Sequence, residues 1–128
     1  MNIFGIGTDI VNIKRIQDSL KKNKSFKKRI FTKFEIKMCE KRANKINCFA
    51  KRFAAKEAFS KALGTGISRG INFNEILILN KKSGKPYISL IGQTKKIFSS
   101  KVKNKKTKIA LSVSDEKKYA VAFVTISI

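Results

Sequence analysis

Histidine and tryptophan are absent from this chain of 128 residues, which also contains only one proline and two cysteines. Without histidine, the chain cannot build a Ser–His–Asp triad, and a zinc site loses its commonest nitrogen ligand. The two cysteines, Cys39 and Cys48, predict neither a disulfide framework nor a zinc site. Any bound metal ion must therefore take oxygen ligands.

Long apolar runs are also missing from the sequence. No segment approaches the roughly 20 apolar residues that span a bilayer, and residues 1–5 lack the basic-then-apolar order of an export signal. We therefore expect no membrane contact and a cytoplasmic location. The length is that of one domain, so we expect residues 1–128 to form a single domain around one core.

Acidic residues are scarce: eight Asp and Glu stand against thirty Lys and Arg, and the formal net charge is +22. One interpretation is an anionic partner, because a strong positive field attracts nucleic acid, anionic lipid or an acidic protein. The other is a general coding bias that enriches lysine, asparagine and isoleucine together. Under either interpretation, each acidic residue carries more information than any single lysine.

The first half of the chain is predicted to be mainly helical. β-branched residues and glycines predict a buried strand over Ile3–Ile13, and apolar residues at helical spacing predict a basic amphipathic helix over Lys14–Leu20. Thr32 and Glu35 have the spacing of a capping box. The further helices that we expect here are Phe26–Ile30, Phe34–Ala43, and roughly sixteen residues between an Asn47 cap and Gly64.

The second half changes to a strand-like period. The elements predicted there are strands over Asn74–Leu79 and Pro86–Ile91, a helix over Gln93–Val102, a lysine-rich loop over Lys101–Lys108, and a closing hairpin of Ile109–Ser114 and Tyr119–Ile128. The whole pattern predicts an α+β fold with a mostly antiparallel sheet and helices mainly in the first half.

Asp9 is a candidate functional residue because it interrupts a strand that otherwise resembles core. A buried carboxylate is costly unless it is paired or bound to a cation. Three structural explanations stay open: Asp9 marks the end of the strand, caps the next helix, or forms a salt bridge with a lysine.

Glu57 and Lys61 lie four residues apart in the long predicted helix and share a face with Phe53. A Glu–Lys pair at this spacing is common on helix surfaces and is worth only about 0.3 to 0.5 kcal/mol there. The surrounding alanines and phenylalanines indicate a largely enclosed helix, where such a pair would be unusual.

Together, Asp9 and Glu57 would supply hard oxygen ligands and leave coordination positions for water and phosphate, as Mg²⁺ prefers. Lys61 would add a positive charge. The segment Gly64–Gly66 would allow backbone N–H groups to approach a phosphate, although a glycine there is more often a helix cap. These residue types favour metal-assisted phosphate chemistry.

Two separated motifs resemble the signatures of the holo-acyl-carrier-protein synthases, a family of small 4′-phosphopantetheinyl transferases. The first motif is Gly5–Val11 with Arg15, and the second is Arg52–Ala58 with Lys61 and Gly64–Gly66. Two later segments, Gly84–Pro86 and Leu111–Ala122, are also similar to that family, so the likeness covers nearly the whole chain.

The resemblance implies a reaction and an assembly. The serine hydroxyl of apo-acyl carrier protein would attack the β-phosphate of coenzyme A, the co-substrate, and release adenosine 3′,5′-bisphosphate in support of fatty acid biosynthesis. The chain would form a homotrimer with its sites at subunit boundaries, and no specific nucleic acid partner is expected.

The resemblance also implies residue roles. Asp9 and Glu57 would hold Mg²⁺ and Lys61 would contact phosphate, which makes these three the catalytic set. Arg52 of a neighbouring subunit would bind the phosphates of the nucleotide, where the fork of a guanidinium is useful. The other residues implied to line the coenzyme pocket are Ser60, Gly64, Thr65, Lys85 and Pro86.

The carrier protein of this family is acidic, so the resemblance implies that the basic helix binds it. Arg15 and Lys22 are the residues predicted to dock it. Either Glu57 or a hydroxide on the metal would accept the serine proton, and both alternatives stay open. The chain departs from the family at Ala110, where relatives commonly have a histidine near the nucleotide.

Two other functions compete with this hypothesis. A basic RNA-binding module would explain the net charge of +22 but not Glu57, and the phenylalanines lie mostly at core spacing rather than on an exposed sheet. An inactive structural subunit of a larger synthase would not need the full set of candidate ligands.

Overall fold

Helices and strands follow one another in a mixed order in this computed structural model, which describes residues 2–128. Within that range the elements are β1 Ile3–Asn12, α1 Ile13–Lys22, α2 Lys24–Ile30, α3 Lys33–Glu40, α4 Lys45–Leu63, β2 Ile76–Asn80, β3 Pro86–Leu90, α5 Gly92–Lys101, β4 Lys108–Asp115 and β5 Tyr119–Ser127. A short 3₁₀ turn, Phe73–Glu75, precedes β2.

The strands form two antiparallel sheets. The larger sheet has the order β1-β5-β4, and β2 pairs with β3 in a separate hairpin. Ile10 faces Val121 across the β1–β5 pair, and Val113 faces Ala122 across the β4–β5 pair. The predicted α+β class and the closing hairpin are therefore confirmed, with four of the five helices before residue 64.

Helix α4 lies directly against β1 because two glycines remove the side chains that would separate them. A Cβ at Gly5 would overlap the carbonyl oxygen of Ala62, and a Cβ at Gly7 would overlap that of Ala58. Most of α4 is buried, as the alanine-rich sequence predicted. This close contact sets the distance between side chains of β1 and those on the adjoining face of α4.

The opposite face of the larger sheet is exposed and apolar. Ile6 and Ile10 of β1 are 60% and 65% exposed, and Phe123 of β5 is 46% exposed. Tyr119 and Val121 extend the same face. The prediction of a buried first strand was therefore wrong for one face of β1 in a single chain, because α4 covers only the other face of the sheet.

Helix starts were predicted with mixed success. Asn12 caps α1, and the capping box of Thr32 and Glu35 is present at the start of α3. Helix α4 begins at Lys45 rather than after Asn47, with Asn44 in the cap position. The Asn47 side chain instead donates a hydrogen bond to Asp115 Oδ2 at 2.6 Å, a partner far away in sequence.

Other boundaries shift by a few residues. Helix α3 ends at Glu40, three residues before the predicted end, and the turn Phe73–Glu75 occupies the predicted start of β2. Strand β4 begins at Lys108, inside the predicted lysine-rich loop. None of the helices in residues 2–128 has the length and apolarity needed to cross a membrane.

A buried ion pair joins the helical layer to the β2–β3 hairpin. Lys56 Nζ donates to Glu35 Oε1 at 2.7 Å and to the carbonyl oxygens of Ile30 and Phe73, and both charged side chains are fully buried. Glu35 Oε2 accepts the N–H of Ile78. Burial lowers the pKa of Lys56 to about 8, although the Glu35 carboxylate opposes that shift.

The two cysteines, Cys39 and Cys48, form a disulfide that the sequence did not predict. It joins the end of α3 to the start of α4, where the two helices meet across the turn of residues 41–44 and bring the two Cα atoms to 5.5 Å. Both sulfur atoms belong to the core beneath α1.

Candidate active site

Asp9 points from β1 toward the last turns of α4. Its Oδ1 lies 3.2 Å from Lys61 Nζ, which also donates to the carbonyl oxygen of Thr8 at 3.0 Å. The other carboxylate oxygen, Oδ2, is buried and has no hydrogen-bond partner within the described chain. Burial raises the pKa of Asp9, and the hydrogen bond and charge of Lys61 oppose that rise. Of the three structural explanations for Asp9, the salt bridge to a lysine is the one observed.

Glu57 is half-buried one turn before Lys61 on α4. Burial raises the pKa of the Glu57 carboxyl, the negative charge of Asp9 raises it further, and Lys61 lowers it. Within residues 2–128 its carboxylate accepts no hydrogen bond and forms no ion pair. Two desolvated carboxylates that repel each other are a source of strain unless a cation or a proton lies between them.

One cavity contains both carboxylates. It has a volume of about 410 Å³, and Arg15, Phe26 and Phe53 are among the residues that line it with Asp9 and Glu57. The Phe26 and Phe53 rings stack with their centroids 6.2 Å apart. The cavity therefore has an acidic end at β1 and α4 and an aromatic wall toward α2.

The donor set fits a hard divalent cation. The unpartnered Oδ2 of Asp9 is a free oxygen ligand, and Glu57 supplies a second carboxylate. No cluster of three or more Asp, Glu, His or Cys side chains that could hold a metal occurs in the described residues. Mg²⁺ often binds through one or two carboxylates and completes its shell with water and phosphate oxygens, so two ligands suffice.

The C-terminal end of α4 is formed by glycines and by Ser60. Gly64 adopts a left-handed conformation with φ of 91°, and a Cβ there would meet no neighbour, so the backbone conformation rather than space requires glycine. The carbonyl oxygen of Ser60 accepts the N–H groups of Gly64, Thr65 and Gly66. The Ser60 hydroxyl is buried and donates to the Glu57 carbonyl oxygen at 2.7 Å, so its predicted coenzyme contact stays a prediction.

Arg52 and Pro86 line a different, smaller cavity of about 40 Å³, which also contains Arg42 and Lys51. The Arg52 guanidinium donates to Asn80 Oδ1 at 2.7 Å and to Cys48 Sγ at 3.2 Å, while its buried Nε has no partner in the described range. Burial and the nearby charge of Arg42 lower the pKa of Arg52.

The two cavities lie on different sides of α4. Arg52 and Glu57 are five residues apart, which places them about 140° apart around a helix axis. Lys85 is exposed in the β2–β3 turn, and its carbonyl oxygen accepts the N–H of Lys81. A single chain therefore does not bring Arg52, Lys85 and Pro86 into the cavity of Asp9 and Glu57.

Arg15 and Lys22 both lie on α1 and line a groove of about 340 Å³ next to the carboxylate cavity. Arg15 borders the groove and the cavity alike. The structure thus brings the two predicted docking residues onto one surface that leads to Asp9 and Glu57.

Sequence reasoning missed several residues around this site. Arg42 and Lys51 accompany Arg52, and Phe26 forms the aromatic wall with Phe53, which the helical spacing had already placed beside Glu57. The Glu35–Lys56 pair anchors the helix that carries Glu57. The capping box already explains Glu35 locally, so no sequence pattern indicated its contact with Lys56.

Comparison with known proteins places nearly the whole chain in one family. A family model for the 4′-phosphopantetheinyl transferase superfamily matches residues 5–124. A curated relative from Pelagibacter ubique is 49% identical over 124 residues, which covers 97% of this chain and 96% of the relative, and is named holo-[acyl-carrier-protein] synthase.

Solved structures agree with this placement. The holo-[acyl-carrier-protein] synthase of Neisseria meningitidis is 38% identical with a TM-score of 0.87, and the match covers 98% of this chain and 99% of that one. The synthase of Bacillus anthracis, solved in complex with CoA (3′,5′-ADP), is 34% identical with a TM-score of 0.81 over 99% of this chain and 98% of that one.

Proposed function

The chain belongs to the 4′-phosphopantetheinyl transferase superfamily, and from that premise we propose that it transfers 4′-phosphopantetheine from coenzyme A to a serine of apo-acyl carrier protein. The serine oxygen forms a bond to the β-phosphorus of coenzyme A. The bond from that phosphorus to the bridging oxygen breaks, and adenosine 3′,5′-bisphosphate leaves.

One observation carries this proposal. Asp9 and Glu57, both half-buried and both with a raised pKa, line the same cavity beside Lys61, and one Asp9 oxygen has no partner within residues 2–128. Two such carboxylates close together do not stabilise the fold. They are suited to a divalent cation and a diphosphate, and an RNA-binding module would have no use for them.

Asp9 and Glu57 would hold Mg²⁺, which when bound neutralises diphosphate charge and polarises the phosphorus–oxygen bonds. Lys61 already lies within hydrogen-bond reach of Asp9, and its half-exposed ammonium can turn toward a phosphate oxygen. Phosphoryl transfer depends mainly on positioning and charge neutralisation, so these groups suit the reaction.

The attacking serine must lose its proton. Glu57 is suited to accept it, because its carboxylate lines the cavity and has no hydrogen-bond partner in the described residues.

The apolar face of the larger sheet supports a homotrimer. Ile6, Ile10 and Phe123 are exposed in one chain, and such a patch usually marks an interface. The separation of Arg52 from Glu57 in one chain supports the same assembly, because a neighbouring copy can supply Arg52, Lys85 and Pro86 to the coenzyme. Ile10→Lys should then yield monomers in light scattering and abolish transfer.

The acidic carrier protein would dock on α1 through Arg15 and Lys22. Reversal of both residues to Glu should raise the KM for the carrier and leave that for coenzyme A nearly unchanged. An unchanged carrier KM would contradict this docking site. A cytoplasmic role in fatty acid biosynthesis completes the proposal.

Mass spectrometry of apo-acyl carrier protein tests the function. The carrier is incubated with this protein, coenzyme A and Mg²⁺, and we expect its intact mass to increase by one phosphopantetheine. The reaction with excess chelator and the reaction without protein serve as controls. No added mass with several apo-carriers at saturating coenzyme A would contradict the proposal.

A further inference from the structure

Asp18 is an unpartnered acid in a chain that has only eight acidic residues. Six of the others accept hydrogen bonds or form ion pairs through their carboxylates: Asp9, Glu35, Glu40, Glu75, Asp115 and Glu116. Only Glu57 and Asp18 have no such partner in the part of the chain that the structure describes. The proposed metal site explains Glu57 and leaves Asp18 without a role.

The position of Asp18 links it to the proposed docking surface. It lines the groove of about 340 Å³ on α1, together with Arg15, Ser19, Lys22 and Phe26. Arg15, Ser19 and Phe26 also border the cavity of Asp9 and Glu57. A carrier protein that docks on Arg15 and Lys22 would therefore lie close to the Asp18 carboxylate.

Helical geometry places Asp18 between the two predicted docking cations. Arg15 precedes it by three residues and Lys22 follows it by four, so all three side chains lie on one face. Neither cation approaches the carboxylate within the 4.0 Å of an ion pair. Arg15 and Lys22 thus remain available to a partner, with a negative charge between them.

We propose that Asp18 repels part of the acidic carrier surface and so limits which anionic partners the groove accepts. This inference rests on the proposed function, because that function supplies the acidic partner. Partner carboxylates can pair with Arg15 and Lys22, about 10 Å apart along α1, but a third carboxylate between them would face Asp18. In a chain of net charge +22, such a local repulsion distinguishes a matching partner from any polyanion.

Steady-state transfer assays with Asp18→Asn test the inference. At low ionic strength and saturating coenzyme A, we expect the KM for apo-acyl carrier protein to fall about three- to fivefold, as for removal of one exposed like charge. The KM for coenzyme A should not change. At about 0.5 M salt the difference between the variant and the unmodified protein should vanish, because the Debye length is then short.

Ser100→Lys provides a control for charge, because it also raises the net charge by one but lies at an exposed position on α5, away from the groove. We expect it to leave the carrier KM unchanged. A carrier KM that is unchanged or raised in Asp18→Asn, or lowered equally in Ser100→Lys, would overturn the inference while transfer itself still occurred. Absence of transfer by the unmodified protein would instead overturn the proposed function.

Discussion

Among the lysines of helix α4 that pair with a carboxylate, Lys56 and Lys61 differ in their burial and in the hydrogen-bonding capacity that remains to each pair. The Lys56–Glu35 pair is fully buried, and Lys56 uses all three of its N–H donors. The Lys61–Asp9 pair is open, with the lysine side chain 52% exposed and one Asp9 oxygen without a partner in residues 2–128.

The same residue types therefore serve structure in one pair and ligand binding in the other. Glu35 and Lys56 have no remaining capacity to bind anything, so their role is to hold α3, α4 and β2 together. Asp9 and Lys61 retain an oxygen and an ammonium that a ligand can use. Unsatisfied polar groups are costly, and their presence points to a ligand.

The largest expected effect comes from Asp9, the carboxylate of the open pair, and from Glu57, which lines the same cavity. Asp9→Asn or Glu57→Gln should reduce transfer about a thousandfold, because each removes a charged oxygen ligand. Both carboxyls have a folded pKa above the ordinary value, so at neutral pH their charge destabilises the fold. The free energy of unfolding in urea should therefore stay equal or rise.

Near-normal turnover of either variant would contradict the assignment of that residue as a metal ligand. A large loss of stability in Asp9→Asn would show that the two pairs do not differ as described.

The next largest effect comes from the fully buried pair of Lys56 and Glu35. Lys56→Met should lower the free energy of unfolding by about 3 kcal/mol, because it leaves Glu35 charged and buried without its cation. The double variant Glu35→Leu with Lys56→Met should recover much of that loss, because it removes both charges. Urea titrations of the two variants measure this difference, and equal stability of single and double variants would contradict it.

Lys61→Met is the matched counterpart on the same helix. We expect it to lower transfer about thirtyfold through loss of a positive charge near phosphate, and to change stability by less than about 1 kcal/mol because the lysine side chain is half exposed. A stability loss as large as that of Lys56→Met would show that Lys61 has a structural role like that of Lys56.

A smaller effect is expected at Glu75, which accepts the N–H groups of Gln93 and Thr94 at the start of α5. The hydrogen bond from Asn72 and those from Thr94 and Gln93 lower the Glu75 pKa. Its stabilisation is therefore present above the ordinary value of 4.5 and is lost as the pH falls through the lower folded pKa.

Glu75→Gln should accordingly cost about 1 kcal/mol or less at pH 7, because the site is exposed to solvent. The difference from the unmodified protein should shrink in thermal unfolding at about pH 3. A difference that is independent of pH would show that the charge of Glu75 contributes nothing.

The site residues Asp9, Glu57 and Lys61 were largely predictable from the sequence, whereas the buried pair of Glu35 and Lys56 was not. Asp9 interrupts an apolar strand, and Glu57 and Lys61 share a helical face, so local patterns already singled them out. Glu35 fits a capping box, which explains it locally and conceals its contact with Lys56, 21 residues away. Contacts between distant segments leave no periodic signal.

The lack of a local signal for distant contacts also accounts for the other differences between the predictions and the structure. Asn47 has the chemistry of a cap, but its side chain binds Asp115, and no local pattern could reveal that partner. The apolar residues of β1 correctly predicted a strand, yet composition does not distinguish burial inside one chain from burial against another copy. The glycines at positions 5 and 7 lie where a Cβ would overlap a carbonyl oxygen of α4, so the backbone of β1 contacts that helix directly.

Anomalous diffraction from Mn²⁺, in crystals grown with coenzyme A, tests most directly whether Asp9 and Glu57 bind the same divalent ion. We expect a single peak about 2.2 Å from Asp9 Oδ2 and from a Glu57 carboxylate oxygen, with diphosphate oxygens completing the shell. A peak bound by neither carboxylate, or coenzyme A bound with no peak beside them, would contradict the proposed site.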